Sequence, residues 1–157
     1  MAEIPPEMMA QGRPADQDFS DGELLYRRFR PDDFDDGEVA PEAFELPDMS
    51  VNRQKYGPPS WLLLEEEYQG WGVASFRVMD IPRGREMLHA GIFAYVLQAE
   101  HVPLRHNYPH SEVRIYRENE RICRQHNNLH QLDPEFHIRW RAHLSLASKI
   151  AIPPQPD

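Results

Sequence analysis

One cysteine among 157 residues excludes an intrachain disulfide, and a reducing cytoplasm is the expected compartment. No stretch approaches the roughly eighteen apolar residues of a membrane span, so no membrane partner is expected. Residues 1–17 have no cationic start and no apolar core of about seven residues, which argues against a secretory signal. Glycine is scarce, eight against fifteen prolines, and the prolines cluster at the ends and between segments, where they punctuate the fold. There is no internal repeat, no His-Glu-x-x-His and no pair of Cys-x-x-Cys motifs, and no constellation matches a catalytic signature in both residue type and spacing.

What is present is unevenly spread. Residues 1–60 carry fourteen Asp or Glu against six Lys or Arg, whereas residues 61–157 carry twelve against eleven, so almost all of the net charge of −9 is N-terminal. Seven of the eight histidines and Cys123 lie between Glu100 and His143, in a segment with surplus arginine. An imidazole titrates at about pH 6.5, so mild acid makes that segment more basic still. An acidic chain is a poor non-specific binder of nucleic acid, but a local basic face suits an anion or an acidic partner.

The length suits one domain with extra tail. Residues 1–21 have too little apolar content to offset the entropy of ordering, and are expected to form a flexible acidic arm. Residues 22–152 form the domain and residues 153–157 a proline-rich tail. A strand is expected over residues 23–29, ending before Pro31. Asp35-Asp36-Gly37 is a turn, and short extended pieces follow at Ala43-Phe44 and Met49-Ser50-Val51. Ser60 is placed to cap a helix over residues 61–68. Residues 72–80 alternate as a half-buried strand with Ala74, Phe76 and Val78 on one face. Residues 92–97 suit a central strand but also a turn or two of buried helix, and a strand is expected over residues 111–116 with Val113 and Ile115 inward. At the C-terminus, alternation argues strand, but Asp133-Pro134-Glu135 is a strong helix start and Phe136, Trp140, Leu144 and Ala147 fall at helical spacing. The helix is the reading adopted, and it puts Arg139 and His143 one turn apart on a basic face. The expected fold class is α+β, a mainly antiparallel sheet with one or two packed helices.

Four constellations carry chemistry. Cys123, His126 and His130 supply three sulfur or nitrogen ligands on one helical face, the set a catalytic zinc requires; a polar surface turn is the plainer alternative. His110 and Glu112, reached through a loop with two prolines, form an acid and base pair if the strand has already begun at His110. Arg114, Arg117, Arg121, Arg124, Arg139 and Arg141, with Tyr108, Tyr116 and Trp140, make a ladder able to bind RNA or single-stranded nucleic acid by phosphate contact and stacking. Arg27, Ser50 and Glu112, finally, come in an order similar to that of ADP-ribosyltransferases of the Arg-Ser-Glu type. That resemblance implies that arginine and serine hold NAD while glutamate orients the ribose. The chain departs from the pattern in having Ser50-Val51-Asn52 for Ser-Thr-Ser, and in lacking an acid or glutamine two residues before Glu112.

A second resemblance spans roughly residues 24–116. Residues 25–31, Phe34, Gly37-Glu38-Val39, Ala43-Phe44, Ser50-Val51-Asn52-Arg53, Gly72-Val73 and Asn107-Tyr108-Pro109-His110 look like a group of small uncharacterised bacterial proteins. Their shared pattern is an early arginine, Gly-x-Val, Ala-Phe, Leu-Ser-Val and a late Asn-x-x-His leading into a strand; here Met49 stands in place of the leucine. The resemblance implies a compact bacterial domain and singles out Arg27, Ser50 and His110, without a reaction. The functional expectation is a small accessory protein that presents a His/Arg-rich face to a protein partner. The enzyme alternative uses His110 as acid or base, Glu112 as carboxylate, Arg27 as anion clamp and Ser50 beside it. An enzyme requires these four to converge on one concave pocket, and an interaction module scatters them.

Overall fold

The computed structural model describes residues 3–81, 95–117, 119–123 and 134–156. It is an α+β fold built on one antiparallel sheet. β1 (Leu24–Phe29) is followed by the short hairpin β2 (Phe34–Asp35) and β3 (Glu38–Val39), whose turn places Asp36 and Gly37 at φ 49° and 79°, the left-handed pair that a two-residue hairpin needs. β4 (Met49–Arg53), β5 (Gly72–Arg77), β6 (Tyr95–His101), β7 (His110–Arg117) and β8 (Glu120–Ile122) precede the helix α1 (Pro134–Ala147) and the final strand β9 (Lys149–Ile152). The sheet order is β6-β7-β4-β1-β5-β9, with β8 also paired to β7.

Alternation along the strands separates two faces. Leu25 and Phe29 of β1, Met49 and Val51 of β4, Ala74 and Phe76 of β5, Leu97 of β6 and Val113 and Ile115 of β7 form one buried cluster, closed by Phe136, Trp140 and Leu144 of α1. The helix thus lies on the core face with the expected apolar stripe, and its Pro134 opens it as proline at a first position should. The residue expected to cap it, Asp133, lies outside the described residues, as do residues 92–94 of the expected central strand. Arg141 Nε and Ser145 Oγ of α1 donate to the carbonyls of Pro41 and Val39, tying the helix to the hairpin.

Several local expectations are corrected. Residues 61–68 form no α-helix and Ser60 caps nothing: 3-10 turns run over Pro59–Leu63 and Glu66–Tyr68, interrupted by extended backbone at Glu65. Ala43 ends another such turn instead of standing in an extended piece. β5 stops at Arg77, before a 3-10 turn at Val78–Asp80, and five of its six residues are buried. The expected half-buried strand is covered on its second face, where Tyr26, Leu62 and Val73 cluster with Leu63 and Ile152. On the core face Gly72 is required, because a Cβ would meet the ring of its partner Phe29. β9 was not expected.

The chain before β1 runs along the β6–β7 end of the sheet. Met8 is buried and its carbonyl accepts from Tyr108 N (2.7 Å), Ala10 N donates to the Arg105 carbonyl, and the Arg13 guanidinium lies 3.5 Å over the Tyr108 ring. Gln17 exchanges side-chain hydrogen bonds with both the N–H and C=O of His101. At the other end, Gln155 N donates to the Gly70 carbonyl.

Candidate functional site

The face opposite the core carries the polar residues. Tyr26 pairs with Asn52, Asn52 with His110, and Ser50 with Glu112, so alternation puts Tyr26 and Arg28 of β1, Ser50 and Asn52 of β4, and His110 and Glu112 of β7 on one side of three neighbouring strands. β7 begins at His110, which meets the condition for His110 and Glu112 to share a face.

Above this surface lies a cleft of about 930 Å3, bounded by the Pro59–Leu63 turn, the 104–107 loop and the N-terminal residues Ile4 and Met8. Its wall includes Arg27, Arg28, Ser50, Asn52, Trp61 and His110. A volume of this order suits a ligand of cofactor size, for which pockets of about 300–1,000 Å3 are usual. Of the four residues expected to converge, Arg27, Ser50 and His110 line the cleft; Glu112 stands next to Ser50 outside the wall. Its carboxylate pairs with Arg114 Nε (2.8 Å) and Arg121 Nη2 (3.5 Å).

The hydrogen bonds fix the state of each group. His110 Nδ1 lies 2.7 Å from the Val102 carbonyl, which only accepts, so the proton is on Nδ1 and the lone pair on Nε2. Nε2 faces Ser50 Oγ at 3.3 Å. Arg27 stands with the core-facing Leu25 and Phe29, but its guanidinium donates to the carbonyls of Ala43 and Ser50, each at 3.0 Å, which holds it at the cleft wall. Asn52 and Asn107 exchange amide hydrogen bonds (3.1 and 2.8 Å) across the floor, which orients both side chains.

No family model, curated protein or solved structure matches this chain.

Arg28, Asn52, Trp61 and Asn107 were absent from the expected site. Arg28 is a cation on the Ser50 face that also lines the cleft, with its guanidinium 3.5 Å over the Tyr68 ring. The signal was available: Tyr26-x-Arg28, Ser50-x-Asn52 and His110-x-Glu112 are polar pairs two apart on strands, hence on one face once the strands are paired.

Of the zinc set, Cys123 is half-buried beyond β8 and has no disulfide, while His126 and His130 lie outside the described residues. Among the described residues no group of His, Cys, Asp and Glu is arranged to hold a metal ion. The arginine ladder is engaged internally where it is described: Arg114 with Glu112 and Glu100, Arg121 with Asp48 and Glu112, Arg139 with Glu135, and Arg141 with the Pro41 carbonyl. Among the described histidines, His101, His110 and His137 are buried and His106 and His143 are exposed. No helix among the described residues is long and apolar enough to cross a membrane.

His101 shows why its surroundings need a neutral ring. Nε2 lies 2.7 Å from the Tyr108 carbonyl and must donate, while Nδ1 accepts from Asp16 N–H at 2.8 Å. Protonating Nδ1 sets two donors against each other. Burial pushes both His101 and His110 below the ordinary histidine range. In the unfolded chain each takes up a proton near its ordinary value of about 6.5, so there the unfolded state binds more protons and stability rises with pH. The melting temperature is expected to hold above about pH 7 and to fall between about pH 6.5 and 5. A melting temperature constant across that window in calorimetric scans counts against this assignment of tautomers.

Proposed function

We propose that the chain is an enzyme that cleaves NAD at the bond between nicotinamide and ribose and transfers the ADP-ribose, as its Arg-Ser-Glu order suggests. One observation carries the reading: Arg27, Ser50 and Glu112 fall in that order on the adjacent strands β1, β4 and β7, with Ser50 directly opposite Glu112 and the Arg27 guanidinium 3.0 Å from the Ser50 carbonyl, beside a cleft of cofactor size. Residues far apart in sequence have no local reason to meet in this way.

The chemistry is matched to the ligand. Arg27 and Arg28 supply positive charge for a pyrophosphate, and Trp61 offers an aromatic face to a base. The Ser50 hydroxyl is placed to bond a ribose oxygen. Glu112, opposite Ser50 at the edge of the cleft, opposes the positive charge that develops on the ribose as nicotinamide leaves. An interaction surface rich in imidazole finds less support, since only two of the described histidines are exposed.

Calorimetric titration tests the reading. NAD is expected to bind saturably and to be displaced by ADP-ribose. Arg28→Met keeps the aliphatic part of the stack on Tyr68 while removing the charge, and should weaken NAD binding roughly tenfold, the loss of one charge-assisted contact. No heat of binding at millimolar NAD, or affinity indifferent to Arg28→Met, sinks the proposal.

A further inference from the structure

We infer that His110 is the base that takes the proton from the group receiving ADP-ribose, and that this acceptor is a hydroxyl, either water or an alcohol. This rests on the NAD reading of the cleft and adds the acceptor to it.

The geometry is specific. The bond from Nδ1 to the Val102 carbonyl leaves His110 one function, a lone pair on Nε2, and aims it into the cleft. The atom it meets is itself a hydroxyl oxygen, Ser50 Oγ at 3.3 Å, which marks where an acceptor O–H can bond. A neutral imidazole oriented by a second group through its other nitrogen is the arrangement that activates a hydroxyl. The position of His110, two residues before Glu112 on β7, puts base and carboxylate on the same face of the sheet.

The step balances without another reagent. The bond from ribose C1′ to the nicotinamide nitrogen breaks and its electron pair leaves with neutral nicotinamide. A lone pair of the acceptor oxygen forms the new C1′–O bond, and the acceptor proton passes to His110 Nε2 and then to solvent. The products are nicotinamide, ADP-ribose bound to oxygen, and one proton.

The charged groups around His110 are Arg28 on β1 and Glu112 and Arg114 on β7, with Arg27, Arg105, His106 and Glu65–Glu67 elsewhere in the cleft wall. Burial outweighs them and keeps the ring neutral through the physiological range. Activity should therefore be level at neutral pH and fall only in acid.

The test follows ribose-labelled NAD by mass spectrometry in aqueous buffer and in buffer with methanol, for the intact protein and for His110→Asn, between pH 5 and 9. Asparagine keeps an N–H donor for the Val102 carbonyl and lacks Nε2. The expected products are ADP-ribose from water and methyl ADP-ribose from methanol; a methanol share points to an alcohol as natural acceptor, and water alone as product in both buffers assigns water. His110→Asn should lower kcat roughly 100- to 10,000-fold with NAD affinity retained, lose the acid limb of the pH profile, and regain part of the rate with added imidazole. A His110→Asn protein that matches the parent within about threefold, with the same pH profile, overturns the base while leaving NAD cleavage in place. ADP-ribose found on nitrogen overturns the hydroxyl acceptor. No nicotinamide released by the intact protein overturns both this inference and the reading beneath it.

Discussion

Arg53→Ala is expected to cost about 3–5 kcal/mol of folding free energy, the largest loss of any polar substitution in the domain. The Arg53 side chain is fully buried at the end of β4. Nε and Nη2 grip both oxygens of Glu23 at 2.6 and 2.7 Å, and Nη1 and Nη2 donate to the carbonyls of Asp16 and Asp18. The Phe19 ring lies 3.8 Å from its Cζ. Truncation leaves the Glu23 carboxylate, 8% exposed, without its partner, and strips two carbonyls of their donor. Lysine offers one ammonium in place of a planar fork, so Arg53→Lys should recover only part of the loss. The same substitution should free the chain around residues 16–19, raising its cleavage by a protease under native conditions. Urea denaturation gives the first quantity, and a cost below about 1 kcal/mol contradicts this account of how the N-terminal segment is held.

Glu112→Gln should slow nicotinamide release roughly 100- to 1,000-fold while changing NAD affinity little, because the charge it removes acts on the transition state more than on bound substrate. The fold should tolerate it. Arg114 keeps Glu100 at 3.1 Å and Arg121 keeps Asp48 at 2.7 Å. The Glu112–Arg114 pair is partly solvated, so its loss should cost no more than about 1 kcal/mol. Single-turnover release of nicotinamide with saturating NAD separates the two effects. Equal loss of affinity and rate assigns Glu112 to binding, and an unchanged rate removes it from the site.

The legible part of the molecule was the part that local pattern determines. The extended pieces expected at 23–29, Met49-Ser50-Val51 and 111–116 are the strands found at 24–29, 49–53 and 110–117, with Arg27, Ser50 and Glu112 on them and His110 at the first position of the last, and proline at position 134 with periodic Phe136, Trp140 and Leu144 identified the helix. Arg28 was passed over for its neighbour, since which of two adjacent arginines shares a face with Ser50 depends on the pairing of β1 with β4, a non-local fact. β9 was hidden for the same reason: four residues before a proline run have little signal of their own, and their partners in β5 lie 74 to 79 positions earlier. The segment 61–68 failed differently. Its apolar and acidic blocks mimic a helix, but Pro58-Pro59 start a tight turn that packs Leu62 onto Tyr26 and Val73. For residues 3–21, composition weighs apolar content, whereas beside the buried Met8 and the packed Phe19 many contacts made there are polar and cation–π, by Arg13, Asp16 and Gln17 with residues of the domain that sequence does not reveal.

The measurement that bears most directly on the central claim is a time course of free nicotinamide from NAD incubated with the purified full chain, beside Ser50→Leu. Ser50→Leu fills the cleft wall where a ribose oxygen should bond. Catalytic release by the parent, abolished in the folded variant, is the predicted result. A parent protein that leaves NAD intact at millimolar concentration through a long incubation would contradict the claim, and the cleft would then belong to another ligand.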